Sequence, residues 1–109
     1  MNLILFVCSA NIERSKTAED YFSQKYPDIE FRSVGTNKAI CQKEGTNYLN
    51  EEDLNWAEVI YVMEPKHKKA IKTFSRLKLG KKIKVLNILD HFGYYNPELL
   101  ELLEAKISI

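Results

Sequence analysis

Residues 3 to 15 of this chain read L-I-L-F-V-C-S-A-N-I-E-R-S, and this stretch limits the folds open to everything after it. Leu3 to Val7 is an apolar, β-branched and aromatic run of strand length. It stops at Cys8, passes through short polar residues and reaches Arg14 and Ser15, where helical spacing begins. The expected order is strand, loop, helix N-terminus. A thiol, five intervening residues and an arginine define a loop of the size that wraps a phosphate. The backbone amides of Ser9, Ala10, Asn11, Ile12, Glu13 and Arg14 can point inward, while the guanidinium takes two phosphate oxygens. A helix N-terminus, Arg14 and the Ser15 hydroxyl also favour the thiolate form of Cys8, which is the species that attacks. Spacing alone is a weak signal, but the preceding strand, the following serine and the helix start are independent requirements that the sequence also meets.

The helix opened near Arg14 carries Ala18, Tyr21, Phe22 and Lys25 or Tyr26 at helical spacing, and Pro27 with Asp28 stops it. Ile29 to Val34 alternates as a strand that Gly35 breaks. Residues 36 to 50 are polar and turn-rich and read as an irregular excursion. Asn50 followed by Glu51, Glu52 and Asp53 predicts a short helix with Leu54, Trp56 and Ala57 on its apolar face. Val59 to Met63 is a third strand, apolar enough for burial on both faces. Pro65 opens a helix through Ala70, Ile71, Phe74 and Leu77 to Gly80, and Ile83 to Ile88 is a fourth strand. Asn96-Pro97-Glu98 starts a last helix whose Leu99, Leu100, Leu102, Leu103 and Ile107 must dock on the sheet. Strands alternating with helices imply a three-layer, doubly wound parallel α/β sheet of four strands. Ligands of such sheets sit at the C-terminal ends of strands where strand order reverses, and Cys8 would stand there.

At 109 residues, 45% apolar and 28% charged, residues 1–109 are expected to form one domain that folds alone. A net charge of +1 argues against a nucleic-acid backbone or an anionic membrane as the main partner. The first apolar run is too short for a signal peptide core or a membrane span, so a cytoplasmic address is expected. Two cysteines without a C-x-x-C pairing give neither a disulfide framework nor a zinc site. Lys66 to Lys84 holds eight lysines and Arg76 with no acid, whereas Glu44 to Glu64 holds six acids and no base. The basic run reads as a solvated helix face with its flanking turns, with a basic rim that guides an acidic or phosphorylated partner as the alternative. His67 and His91 read as unpaired surface residues, and Cys41 as an inert thiol.

C-S-A-N-I-E-R-S resembles the phosphate-binding signature of the low-molecular-weight protein tyrosine phosphatases, and most closely their short bacterial branch. Ser33-Val34-Gly35-Thr36 is similar to the S-A-G-T that follows that family's second strand, and L-N-W-A-E-V-I-Y-V-M to its third strand. The resemblance spans essentially the whole chain. It implies a flavodoxin-like strand order 2-1-3-4, the phosphotyrosine protein phosphatase I type, and hydrolysis of aryl phosphates, particularly phosphotyrosine in proteins, without metal or cofactor. The chain would act as a monomer or weak homodimer. Position by position, the resemblance makes Cys8 the nucleophile, Arg14 the phosphate clamp, Asp90 the general acid, Asn11 the support of the loop and Ser15 the hydroxyl that stabilises thiolate. Phe92, Tyr94 and Tyr95 resemble the aromatics beside the family's acid.

The sequence also departs from that pattern. Ala10, Glu13 and Lys16 stand where the larger family has Gly, Cys and Pro, and His91 replaces the proline after the acid. A carboxylate at Glu13 facing the loop would repel a phosphate dianion and disfavour the thiolate, so its side chain is expected to point outward. Two other classes compete. One is a phosphocarrier resembling the IIB components of sugar phosphotransferase systems, which need neither Arg14 nor Asp90. The other is a non-catalytic phosphotyrosine-binding module in which Glu13 suppresses turnover.

Overall fold

Apolar alternation along the first strand decides how the layers assemble in the computed structural model, which describes residues 3–109. In β1 (Leu3–Cys8), Ile4, Phe6 and Cys8 face one side of the sheet and Leu5 and Val7 the other. β1 pairs in parallel with β2 (Glu30–Gly35) on one flank and β3 (Val59–Val62) on the other, and β4 (Ile83–Val85) adds outside β3. The order is β2-β1-β3-β4, as the resemblance implies. Helices α1 (Arg14–Lys25) and α5 (Pro97–Lys106) cover the Phe6 side through Ala18, Phe22, Leu99 and Leu103. Helices α3 (Glu51–Trp56) and α4 (Pro65–Phe74) cover the Leu5 side through Leu54 and Ile71. Phe6 stacks on Phe22, Phe31 and Tyr61 at 5.8 to 5.9 Å between ring centroids. Burying such side chains contributes about 1.5–3 kcal/mol each, which holds β1 rigidly beneath the loop that follows it.

Three expectations are corrected. The stretch after Gly35 is not irregular, because α2 (Lys38–Glu44) forms within it. Asn37 caps its start by accepting from the Ile40 amide, and Gly45 ends it at φ 70, a left-handed conformation that suits glycine. The fourth strand stops at Val85 instead of Ile88, since Asn87 turns left-handed at φ 57. Leu86 and Ile88 nevertheless donate to the carbonyls of Val62 and Met63, so the segment still runs along β3. The fourth helix ends at Phe74, short of Leu77. Ser75 there accepts from the Leu77 amide, a local bond that competes with another helical turn. Leu79 takes the buried place instead and Leu77 is exposed.

Candidate active site

Three strand ends meet at one edge of the sheet. Cys8 ends β1, Glu64 follows β3, and the segment through Ile88 to Asp90 follows β4. Between Cys8 and α1 the chain folds into bends over residues 9–13. Asn11 makes this possible by taking φ 56, which asparagine tolerates better than most residues. Its side chain fixes the turn from within, donating Nδ2–H to Ser15 Oγ at 2.9 Å and accepting the Asn47 amide at 3.1 Å. The loop is also braced from outside. Thr46 Oγ1 donates to the Ala10 carbonyl at 2.6 Å, and the amides of Thr36 and Asn37 donate to the carbonyls of Cys8 and Ser9. A Cβ on Gly35 would lie 2.5 Å from the Ser9 carbonyl oxygen and 2.7 Å from Cys41 Sγ, so only glycine lets the loop approach β2 this closely.

The sulfur of Cys8 is buried beside a hydroxyl and a backbone amide. Ser15 Oγ lies 3.0 Å from it, and the Asn11 amide donates to it at 3.3 Å. None of the hydrogen bonds among the described residues uses the amides of Ala10, Ile12 or Glu13. Cys8, Ser9, Ala10, Ile12, Glu13, Arg14 and Asp90 border one concavity of about 30 Å³, small enough that only a compact group reaches its floor. Asn11 and Ser15 stand behind this wall, both buried. The residues singled out in the sequence are therefore brought together. The arrangement suits an anion on the concave side of the loop, at the positive N-terminal end of α1.

Arg14 is 2% exposed, and a guanidinium buried that far requires partners. Its Nη1 donates to Glu64 Oε2 at 2.5 Å and to the Ile88 carbonyl at 2.8 Å. No hydrogen bond among the described residues uses Nη2 or Nε, and Nε lies 3.7 Å from Asp90 Oδ1. The arginine is thus held from one side with a donating edge left over. Asp90 is 62% exposed, in reach of both the concavity and bulk water. Glu13 is half-buried at the rim, so the outward orientation expected for it is only partly met.

Two residues of this site escape the sequence reading. Glu64 holds Arg14, and the hydrogen bond from that arginine keeps its carboxyl below the usual carboxylate range. His67, expected at the surface, is fully buried. Its Nδ1 accepts the Glu64 amide at 3.0 Å and its Nε2 lies 2.9 Å from Ser9 Oγ. Burial first, and then the Arg14 charge, lower its pKa to about 4. The available signal was positional, since His67 is three residues past the Glu64 N-cap of α4, where a side chain reaches back to the capping amide. Cys41 is buried against the Ser9 and Ala10 carbonyls. Tyr94 donates to Asp20, and the Tyr95 amide donates to Thr17 Oγ1 at 2.8 Å, tying the segment after Asp90 to α1. Among the described residues no His, Cys, Asp or Glu side chains are grouped to hold a metal ion, and no helix is long and apolar enough to cross a membrane.

No family model matches the chain, and no curated protein matches it in sequence. Solved structures do share the fold. The YwlE arginine phosphatase from Geobacillus stearothermophilus is 24% identical over 93% of this chain and 87% of its own, with a TM-score of 0.70. A low molecular weight protein tyrosine phosphatase from T. tengcongensis is 22% identical over 96% and 92%, TM-score 0.74. The tyrosine phosphatase Wzb from Escherichia coli K30, solved in complex with phosphate, is 18% identical over 97% and 94%, TM-score 0.75. At these identities the likeness is one of fold: the four-stranded parallel sheet is that of the low-molecular-weight tyrosine phosphatases.

Proposed function

We propose that the protein is a cysteine-dependent phosphomonoesterase that hydrolyses phosphotyrosine in proteins through a phosphocysteine intermediate. The observation that carries this reading is the convergence of Cys8, Arg14 and Asp90 on one small concavity, with Ser15 Oγ and the Asn11 amide both directed at the sulfur. The thiolate attacks phosphorus in line, and its lone pair forms the S–P bond as the P–O bond to the phenol breaks. The loop amides and the free edge of Arg14 hold the non-bridging oxygens. Asp90, protonated, gives its hydrogen to the departing phenolate. The same carboxylate then takes a proton from the water that cleaves the S–P bond, releasing phosphate and restoring the thiolate. Metal and cofactor have no part in these steps. A cysteine used this way has to stay reduced, which fits a cytoplasmic location.

Ile12 supplies an apolar wall for the aryl ring. The carboxylates of Glu13 and Asp90 on the same rim favour one other substrate, a phosphorylated guanidinium, and the Geobacillus structure of this fold is named an arginine phosphatase. A phosphocarrier has no use for Arg14 and Asp90 at the sulfur, and a binding module has none for Asp90.

The test is release of phosphate from phosphotyrosine and phosphoarginine peptides by wild type, Cys8→Ser, Arg14→Ala and Asp90→Ala. The expectation is turnover of phosphotyrosine that is lost in Cys8→Ser and falls at least about 100-fold in Arg14→Ala and Asp90→Ala. Turnover of phosphoarginine alone moves the protein to the other substrate. Binding without release above the Cys8→Ser background makes it a binding module, and stable phosphorylation of Cys8 by a histidine-phosphorylated donor makes it a carrier.

A further inference from the structure

The buried His67 has no place in the steps above, yet its surroundings determine where its hydrogen lies. A backbone amide can only donate, so the 3.0 Å bond from Glu64 N–H leaves Nδ1 unprotonated. The neutral ring must then carry its hydrogen on Nε2, and Nε2 is 2.9 Å from Ser9 Oγ. The imidazole is the donor in that contact and the serine oxygen is the acceptor. The hydroxyl's own hydrogen is therefore directed elsewhere, and Ser9 borders the concavity together with Cys8 and Arg14. We propose that His67 is a positioning residue that makes the Ser9 hydroxyl an obligatory donor to the oxyanion held in the loop. The proposal rests on the phosphatase reading and adds to it one donor, with the relay that orients it.

The relay runs from the Glu64 amide through Nδ1 and Nε2–H of His67 to Ser9 Oγ, and from there into the concavity. One turn of chain at the start of α4 controls both ends of the site. The Glu64 carboxylate holds Arg14 while the Glu64 amide fixes the ring that orients Ser9. Protonation of Nδ1 would set two hydrogens against each other at the Glu64 amide, so the relay needs the neutral ring. Burial, Arg14 and Lys66 disfavour the imidazolium, while Glu64 and Asp90 favour it, and the neutral form prevails down to about pH 4. A hydroxyl free to rotate would divide its time between the loop carbonyls and the substrate. One already accepting from His67 donates to phosphoryl oxygens without reorganising, and its bond strengthens as charge builds on them.

Two measurements on the intact protein test this. Long-range proton–nitrogen spectra of the wild type should show the Nε2–H tautomer of His67, unchanged between about pH 8 and pH 5.5. An Nδ1–H tautomer, or a ring titrating at the ordinary histidine value, overturns the proposal without any variant having to fold. The second measurement is aryl phosphate turnover and affinity for inorganic phosphate in Ser9→Ala, His67→Asn, His67→Gln and the double variant Ser9→Ala/His67→Asn. Asparagine can serve the Glu64 amide but stops short of Ser9, whereas glutamine places an amide donor near Nε2. Ser9→Ala and His67→Asn should each lower kcat/KM about 10- to 100-fold, the scale of one bond to a charged group. His67→Gln should restore most of that loss, and the double variant should be no worse than Ser9→Ala alone. Additive losses in the double variant, or equal losses in His67→Gln and His67→Asn, overturn it. A wild type that turns over no aryl phosphate defeats the phosphatase reading alone: the same ordering in phosphate affinity then still supports the relay. Equal phosphate affinity in wild type and Ser9→Ala removes the relay.

Discussion

Glu13 sets two charges of the site against each other. It directly precedes Arg14 and borders the same concavity, and its side chain makes no hydrogen bond or ion pair among the described residues. Its Oε2 reaches toward the opposite rim, 4.0 Å from where a Cβ on Gly93 would be. An unpaired carboxylate there repels an incoming phosphate dianion, and near a wet surface such repulsion is on the order of 1 kcal/mol. Glu13→Gln keeps the shape and removes the charge. It should raise kcat/KM for phosphotyrosine about 3- to 10-fold at low ionic strength, with the gain shrinking as added salt screens the wild-type repulsion. Steady-state kinetics at two salt concentrations check this. An unchanged kcat/KM in Glu13→Gln means the carboxylate exerts no net repulsion on the phosphate, and a lowered one means it contributes to binding.

At the scale of elements, α2 shows where the sequence stops being legible. The first strand and helix announce themselves through an unbroken apolar run and helical spacing, and α5 through its cap, its proline and its leucines. Helix α2 has seven residues and buries only Cys41, so it has no apolar stripe to read. Its signals were the caps, Asn37 and Gly45, in a stretch whose polarity suggested turns. Stability there depends on those caps more than on packing. Asn37→Ala should cost about 1 kcal/mol, with faster amide exchange confined to residues 38–46 and unchanged protection in β1, measured by hydrogen exchange. The site divides along the same line. Cys8, Asn11, Arg14 and Ser15 were legible because they are neighbours in sequence, whereas Asp90 was named only through the family resemblance. Glu64 and His67 reach the loop only because β3 lies beside β1, a pairing between residues more than fifty positions apart. No local pattern encodes it, and a lone histidine near lysines looks like surface.

For the molecule as a whole, the burial of one neutral histidine makes stability depend on pH. Above about pH 6.5 the ring is neutral in the folded and unfolded chains alike and contributes no pH dependence. As the pH falls below that value the unfolded chain takes up a proton at His67, while the folded chain does not until about pH 4. The unfolded state then binds more protons, so stability declines across this window and levels off below it. The gap between 6.5 and about 4 corresponds to about 3 kcal/mol, a large share of the roughly 5–15 kcal/mol available to a small domain. Glu64 acts in the same direction, because its lowered pKa means that its pairing with Arg14 is lost as the carboxylate protonates at still lower pH. Urea unfolding followed by the fluorescence of the single tryptophan, Trp56, across pH 8 to 4 follows the histidine contribution. Wild type should lose about 3 kcal/mol between about pH 6.5 and 4, and His67→Gln, which has no ring to titrate, should lose much less over the same range. Parallel curves for the two proteins would mean that the imidazole charges as readily in the folded chain as in the unfolded one. A ring that is 0% exposed and donates from one nitrogen while accepting at the other has no room for a second hydrogen.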